Sequence, residues 1–422
     1  MEDTEGVCKM KDIKMPENVK MILDKLSSEG HEAVIIGGCV RDSIMGIEPH
    51  DWDIATSAKP EEIMEIFKDF RLMTAGLKHG TVTVIINHEP YEITTYRVDG
   101  KYTDFRRPDT VNFTSDLAED VLRRDFTINA IAYDGEKIID LHNGIGDIEQ
   151  GIIRCVGNPD DRFQEDPLRI LRALRFAVRF KFQIEENTAA AMRRHMKLLD
   201  HIAIERKQNE FTKTICTDSI KGNFELLKRY QDILSYVMSD IADITEWNKT
   251  VDMVRDCNGL CEKLAILIDM AKVESYHKVV GILMRYPNKV SKSVCNIMEC
   301  RKELITDSVE NARHLLSKYS KEDIIKTINY KLAKIISDES ADEAMMLCLY
   351  KAQDTIEEVY SNPEKYCYDL KHLDINGHDL KGIGVPDVEI SHYLWELLQL
   401  VITGAVENNN EKLIQVAKIS RF

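Results

Sequence analysis

Val34–Thr56 reads V-I-I-G-G-C-V-R-D-S-I-M-G-I-E-P-H-D-W-D-I-A-T, and how this stretch folds decides the rest. The apolar run Ala33–Ile36 predicts a β-strand ending at Gly37-Gly38, with a helix opening at Val40-Arg41-Asp42. A second short strand is expected to carry Asp51 and Asp53. Side chains at i and i+2 of a strand share a face, so both carboxylates would project together while Trp52 and Ile54 point the other way. Paired carboxylates suit hard divalent cations such as Mg²⁺. A glycine pair ahead of a helix lets backbone N–H groups approach a phosphate. A lone D-x-D is most often a solvated turn. Glycine pair, arginine and D-x-D at this spacing instead imply a metal-assisted nucleotidyl-transfer site.

Outward from this stretch, residues 16–30 read as an amphipathic helix with Val19, Ile22, Leu23 and Leu26 at helical spacing. Pro60 is placed to start a helix over 61–67. Strands are expected over 81–86 and 91–97, the second carrying Glu92 as a third metal-site carboxylate or as an ordinary cross-strand charge. Residues 98–113 lack periodicity and mix Gly, Pro, Asp and Arg, so they read as a loop whose length favours function. Residues 116–129 read as helix with Arg123, Arg124, Asp125 and Asn129 as its polar content. Adjacent arginines usually face solvent, but beside such a loop they suit phosphate or ribose contacts. A strand over 137–141 and a short turn or helix over 144–150 close this half.

From Asp160 the pattern turns helical. Glu165-Asp166-Pro167 opens a helix with the apolar stripe Leu168, Leu171, Leu174 and Val178. Arg169, Arg172, Arg175 and Arg179 would then form a basic solvated face. Residues 187–362 read as successive amphipathic helices without a strand pattern. The run 318–334 is a basic, tyrosine-containing helical patch that suits an RNA backbone or plain solvent. His378-Asp379 has no partner His or Asp at metal-site spacing and reads as structural.

Composition sets bounds. The 422 residues are long enough for two to four domains, and 44% hydrophobic content supports real cores. No run of about 18 apolar residues occurs, which argues against a membrane span. The N-terminus lacks an apolar h-region, which argues against a secretory signal. Ten cysteines without a compact framework or zinc-site partners point to reduced thiols and a cytoplasmic protein. The net charge of −16 opposes nucleic-acid binding in general, so any such contact requires a local basic groove.

Assembled, these residues resemble the class II tRNA nucleotidyltransferases, the CCA-adding enzymes of the DNA polymerase β superfamily. The resemblance runs through G-G-C-V-R-D and D-W-D at 37–53, G-L-K-H-G-T-V-T-V at 76–84, the loop at 98–113, R-R-D-F-T-I-N-A at 123–130 and E-D-P-L-R-I-L-R-A-L-R-F at 165–176. I-A-I-E-R-K-Q-N-E-F-T-K at 202–213 matches more loosely, and L-D-I-N-G-H-D-L-K-G-I-G at 373–384 resembles a tail motif of shorter members. Coverage is thin over 214–365.

The resemblance implies an α+β chain with a small mixed-sheet catalytic head (1–150), followed by an elongated all-α part. That part divides into a neck of base-recognition helices (151–213), a helical body (214–310) and a tRNA-binding tail (311–422). It implies template-independent addition of C, C and A to the tRNA 3′ end from CTP and ATP, releasing pyrophosphate, with Mg²⁺ on Asp51 and Asp53. Glu92 joins them as a candidate catalytic carboxylate. Gly37, Gly38, Arg41, Arg123, Arg124, Asp125, Asn129, Asp166, Arg169, Arg172 and Arg175 are the candidate nucleotide-binding residues. Gly38 and Arg41 would meet the triphosphate, and Asp166 with Arg169, i and i+3 on one helix, would read the base. Cytosine and adenine both present an exocyclic amine beside an unprotonated ring nitrogen, whereas uracil and guanine present the reverse. The substrates are tRNA, CTP and ATP, with no membrane and no obligate protein partner evident. An A-adding relative keeps the loop and is the main alternative. A poly(A) polymerase would carry a G-R-R-F-like segment where this chain has R-L-M-T-A-G-L-K-H, together with a basic C-terminal extension. A non-catalytic RNA binder would not need both Asp51 and Asp53.

Overall fold

The computed structural model describes residues 13–100, 110–217, 223–338 and 342–420. They fall into two compact units. The first holds the described residues up to Thr217, with 223–226 and Asp232–Val237; the second holds Leu227–Gln231 and the chain from Met238 onward.

In chain order the first unit begins α1 (Glu17–Ser28), β1 (Ala33–Ile36), α2 (Gly38–Ile44), β2 (Ile54–Thr56) and α3 (Pro60–Ile66). Next come β3 (Arg71–Met73), β4 (Thr81–Ile86), β5 (Glu89–Thr95), β6 (Arg97–Asp99), β7 (Val111–Phe113) and α4 (Leu117–Leu122). Then β8 (Ile131–Tyr133), β9 (Ile138–Asp140), α5 (Gly144–Gln150), β10 (Ile152–Ile153), α6 (Pro159–Glu165), α7 (Leu168–Phe180), β11 (Gln183–Ile184), α8 (Glu186–His195) and α9 (Ile204–Ile215) follow. The main sheet has seven strands in the order β3-β4-β5-β2-β1-β8-β9. It is mixed: β2 runs parallel to β5, and the other pairs are antiparallel.

β1 is central and buried along its whole length, as its unbroken apolar run requires. Its alternation feeds two cores. Ala33 and Ile35 pack with Val19, Ile22 and Leu26 of α1 and Ile63 and Phe67 near α3. Val34 and Ile36 pack on the other face with Ala55, Tyr96, Leu117, Val121 and Val156.

Three expectations change. Asp51 and Asp53 precede β2 rather than lying in it. Gly37 turns β1 away to donate to the Ile131 carbonyl at 3.1 Å, so the last bond to this stretch is Ile36 N–H to Asp53 O at 3.0 Å. Alternation survives without a ladder: Ile54 is buried and Trp52 packs on the head core, while Asp51 and Asp53 are exposed. The helix over 116–129 stops at Leu122, because Phe126 is fully buried in an extended conformation and bridges Cys155. The loop 98–113 begins and ends as an antiparallel ribbon, β6 with β7, in which Val98 opposes Asn112. Its centre, 101–109, lies outside the described residues.

The second unit is helical, with its longer helices spanning Trp247–Asp256, Leu260–Met270, Asn288–Cys300, Val309–Lys318, Lys321–Ile336, Glu343–Ser361, Ile390–Ile402 and Asn410–Ile419. The basic patch 318–334 is not one helix, since Ser320 caps a new helix by accepting from Asp323 N–H. Its side chains are partnered rather than free: Tyr330 donates to Asp269, Lys331 to the Glu303 carbonyl and Lys321 to Glu357. His378-Asp379 is a cap, where Asp379 accepts from Asn376 N–H at 3.0 Å. No helix among the described residues is long and apolar enough to cross a membrane.

Candidate active site

Gly37 ends β1 at φ +87, a conformation that favours glycine. A Cβ there would stand 3.1 Å from Arg124 Nη1 and 3.6 Å from the Asn129 carbonyl. The glycine thus lets a guanidinium close over the turn. Gly37→Ala is expected to displace Arg124 and strain the backbone, lowering stability by about 1–2 kcal/mol in a denaturant titration. Arg124 donates to Asp120 at 3.4 Å, and its Nε is buried without a hydrogen-bond acceptor among the described residues. Arg123 is more fully spent, donating to Asp120 through Nε at 3.0 Å and Nη2 at 2.6 Å.

Asp51, Asp53 and Glu92 border one cavity of about 720 Å³. Although Asp53 keeps an exposed edge, crowding raises its carboxyl pKa; Arg124 pulls the other way and Asp51 adds to the rise. Among the described residues no three His, Cys, Asp or Glu side chains gather as a metal site. Glu92 therefore shares the cavity without completing a ready-made cage. Two carboxylate donors on one rim still fit Mg²⁺, which fills its shell from water and phosphate oxygens.

Arg41 is 4% exposed and lies inside the protein rather than at an open surface. Its Nε and Nη2 donate to Asp42 at 2.8 and 2.6 Å, and its Nη1 donates to Asn129. Its guanidinium carbon stands 5.2 Å from the Phe176 ring centre and 4.8 Å from that of Phe180. Asn129 in turn donates to Asp125 at 3.0 Å, and Asp125 receives Arg172 at 2.8 and 2.5 Å. Burial alone would raise the Asp125 carboxyl, but Arg172, Asn129 and Arg169 more than offset it and hold it well below the usual range. A buried chain of hydrogen bonds therefore links α2 to α7.

The α7 arginines do not form a solvated face. Arg169 donates to Glu165 at 2.6 Å and to the Arg123 carbonyl at 2.8 Å, while Arg175 pairs with Glu210 at 2.8 Å and stands over Phe176. Arg179 reaches Asp42 at 3.6 Å. The outward face expected from spacing is turned into the unit because α2, the 123–129 turn and α9 all supply acceptors to it.

Asp166 is also not on the helix with Arg169. It ends α6 in an extended conformation, accepts from Leu168 N–H at 3.0 Å and pairs with Arg206 at 2.9 Å. Pro167 enforces this break, since the residue before proline avoids the helical region. Arg206 and Glu210 were not singled out in the sequence. They lie four residues apart on α9, and this i,i+4 spacing within 202–213 is the signal that could have found them.

A mixed sheet with a glycine turn, a carboxylate pair at a strand entrance and an arginine closing over the turn defines a nucleotidyltransferase head. Residues 33–154 match the family described as "Poly A polymerase head domain", and residues 181–244 match "Probable RNA and SrmB- binding site of polymerase A". The CCA-adding enzyme of Enterococcus faecalis is 34% identical over 417 residues, covering 95% of each chain. That of Ligilactobacillus salivarius is 35% identical over 409 residues, covering 94% of this chain and 95% of the relative. The structure of the Bacillus stearothermophilus CCA-adding enzyme in complex with CTP superposes with a TM-score of 0.76 at 27% identity, covering 96% of this chain and 97% of that one. The chain belongs to the CCA-adding enzyme family.

Proposed function

We propose that this protein extends the 3′ end of tRNA with C, C and A, using CTP and ATP and no nucleic-acid template. The observation that carries the reading is the carboxylate pair Asp51/Asp53 beside a glycine turn roofed by Arg124, in a chain whose full-length relatives are CCA-adding enzymes. In each step the terminal 3′-oxygen attacks the α-phosphorus of the nucleotide. A phosphodiester bond forms, the bond to the β-phosphate oxygen breaks, pyrophosphate leaves, and the hydroxyl proton passes to solvent. Mg²⁺ held by Asp51 and Asp53 would supply activation of the hydroxyl and neutralisation of developing charge.

The protein's own groups supply the rest. Gly37 and Gly38 leave room for phosphate oxygens against the backbone. Arg124, with its unsatisfied Nε, is the arginine suited to the triphosphate, because Arg123 is committed to Asp120. Asp125 and Asn129, locked between Arg172 and Arg41, suit the ribose. Asp166 would accept the exocyclic amine of cytosine or adenine, and Arg169 would donate to the neighbouring ring nitrogen by giving up one of its present acceptors, Glu165 or the Arg123 carbonyl. Arg206 and the Leu168 N–H hold the Asp166 carboxylate for that task. Arg175 would brace this wall through Glu210. Head 1–150 then carries the chemistry, neck 151–213 the base selection, and body 214–310 and tail 311–422 the tRNA, all in the cytoplasm.

The test supplies tRNAs ending before the first C, after one C and after two, each with CTP, ATP or both. Extension of all three is the expected result. Extension only of the tRNA already ending in CC would make this an A-adding enzyme. Shortening the segment between β6 and β7 is expected to damage AMP addition selectively, if that segment serves the switch from CTP to ATP. Equal loss of both steps would defeat that role.

A further inference from the structure

Two arginines stand side by side at the end of α4, and they are held very unequally. Asp120 lies one turn before them and is 1% exposed. Its Oδ1 accepts from Arg123 Nε and Nη2 at 3.0 and 2.6 Å, and from the Arg97 N–H at the start of β6 at 3.2 Å. Its Oδ2 accepts from Arg124 Nη2 at 3.4 Å, a long bond. Burial alone would raise this carboxyl, but Arg123 and Arg124 hold it below the usual range, so it is charged.

Arg124 is the lightly held one. Asp120 is the only hydrogen-bond acceptor of its guanidinium among the described residues, and its Nε has none. The like charge of Arg123 beside it opposes it. Yet its Nη1 stands 3.1 Å from where a Gly37 Cβ would be, so the guanidinium is placed over the glycine turn. One long tether suffices because the tether is anionic and is itself pinned. The pin comes from outside α4, since Arg97 belongs to β6.

The same turn serves base selection by a separate route. Arg169 donates to the Arg123 carbonyl, Arg162 donates to the Leu122 carbonyl, and both share Glu165. These bonds reach the backbone of the turn, which the Arg124 N–H closes onto the Val121 carbonyl at 3.1 Å without the Asp120 side chain. The side chain and the backbone of one turn thus hold different arginines.

We propose that Asp120 is a positioning residue, which holds Arg124 over the glycine turn for the phosphates of the nucleotide and takes no part in choosing the base. The proposal rests on the phosphate role given to Arg124 above. The long bond fits this use. It orients the guanidinium before the nucleotide arrives and leaves Nε without a competing acceptor.

Steady-state kinetics on tRNA lacking its last three nucleotides test it. Asp120→Asn keeps the shape, but an amide accepts on one side only and turns a donor toward the other arginine. KM for CTP and for ATP is expected to rise about ten-fold, the scale of one hydrogen bond to a charged group, with kcat near that of the wild type. Exclusion of UTP is expected to stay complete. A change that merely loosened α4 would carry the Arg123 carbonyl and Arg169 with it, so UTP incorporation alongside a raised KM overturns the proposal. In a double-mutant cycle Asp120→Asn is expected to add nothing to the KM of Arg124→Met, because it acts through that side chain. Additive losses overturn the proposal. A further measurement uses the wild-type protein and so does not depend on a variant's folding. With arginine Nε labelled for magnetic resonance, CTP without RNA is expected to shift the Arg124 signal and leave that of Arg123. Equal shifts of the two overturn the proposal. An unchanged KM for CTP in Asp120→Asn overturns it while sparing the parent reading. Wild-type protein that extends no tRNA with CTP overturns both, which separates the two failures.

Discussion

Asp51→Ala and Asp53→Ala are each expected to abolish CMP and AMP addition alike, by roughly a thousand-fold or more, the scale on which lost charge stabilisation acts in phosphoryl transfer. Both steps should fall together, because carboxylates that hold the metal would serve a charge common to every addition, whichever base arrives. The fold should not suffer. Both residues are exposed, and Asp53 contributes to the sheet through its backbone carbonyl, which alanine retains. Surface changes of this kind shift stability by about 0.5 kcal/mol at most. An unchanged melting temperature with pyrophosphate release reduced to background is therefore the expected pair of results. Near-normal turnover in either variant would remove the site assignment.

Asp166→Ala is expected to blur base selection. Removing the acceptor for the exocyclic amine costs about 1–3 kcal/mol, or roughly ten- to hundred-fold in use of CTP and ATP. UTP and GTP lose nothing by the change, so their share of incorporation rises. The variant also frees Arg206 and removes the acceptor for Leu168 N–H at the start of α7, costing about 1 kcal/mol of stability. Misincorporation measured with all four nucleotides on a tRNA lacking its last three nucleotides decides the matter. Full exclusion of UTP with unaffected use of CTP would show that the carboxylate does not read the base.

Much of the head was legible because its determinants are local. The Ala33–Ile36 strand, the helix after Gly37, β4 and α5 follow from apolar runs and glycine placement that no distant contact overrides. Partnership across the chain was not legible. Spacing along α7 shows four arginines on a regular rise, but cannot say that Asp42, Asp125, Glu165 and Glu210 wait opposite them. Phe126 ends a helix that local propensity would continue, because its backbone bridges Cys155 and its buried ring meets Phe176 edge-on. Asp166 and Arg169 were assigned to one helical face by counting residues, and Pro167 breaks that count. The lysines of 318–334 looked available for RNA until Asp269, Glu303 and Glu357 proved to be their partners.

The stacking of Arg41 between α2 and the rings of α7 limits how this protein can be recombined. Phe176 and Phe180 lie parallel with centres 5.9 Å apart, and Arg41 depends on both. A chimera joined at residue 150 would pair its head with a foreign α7, and an arginine committed to the interior would lose its aromatic bed. Grafts that keep residues 13–237 from one parent preserve the stack, the Asn129–Asp125–Arg172 chain and the Arg206 latch together. The interchangeable cassette is thus wider than the sheet, and α7 and α9, which carry these pairings, must be inherited with it.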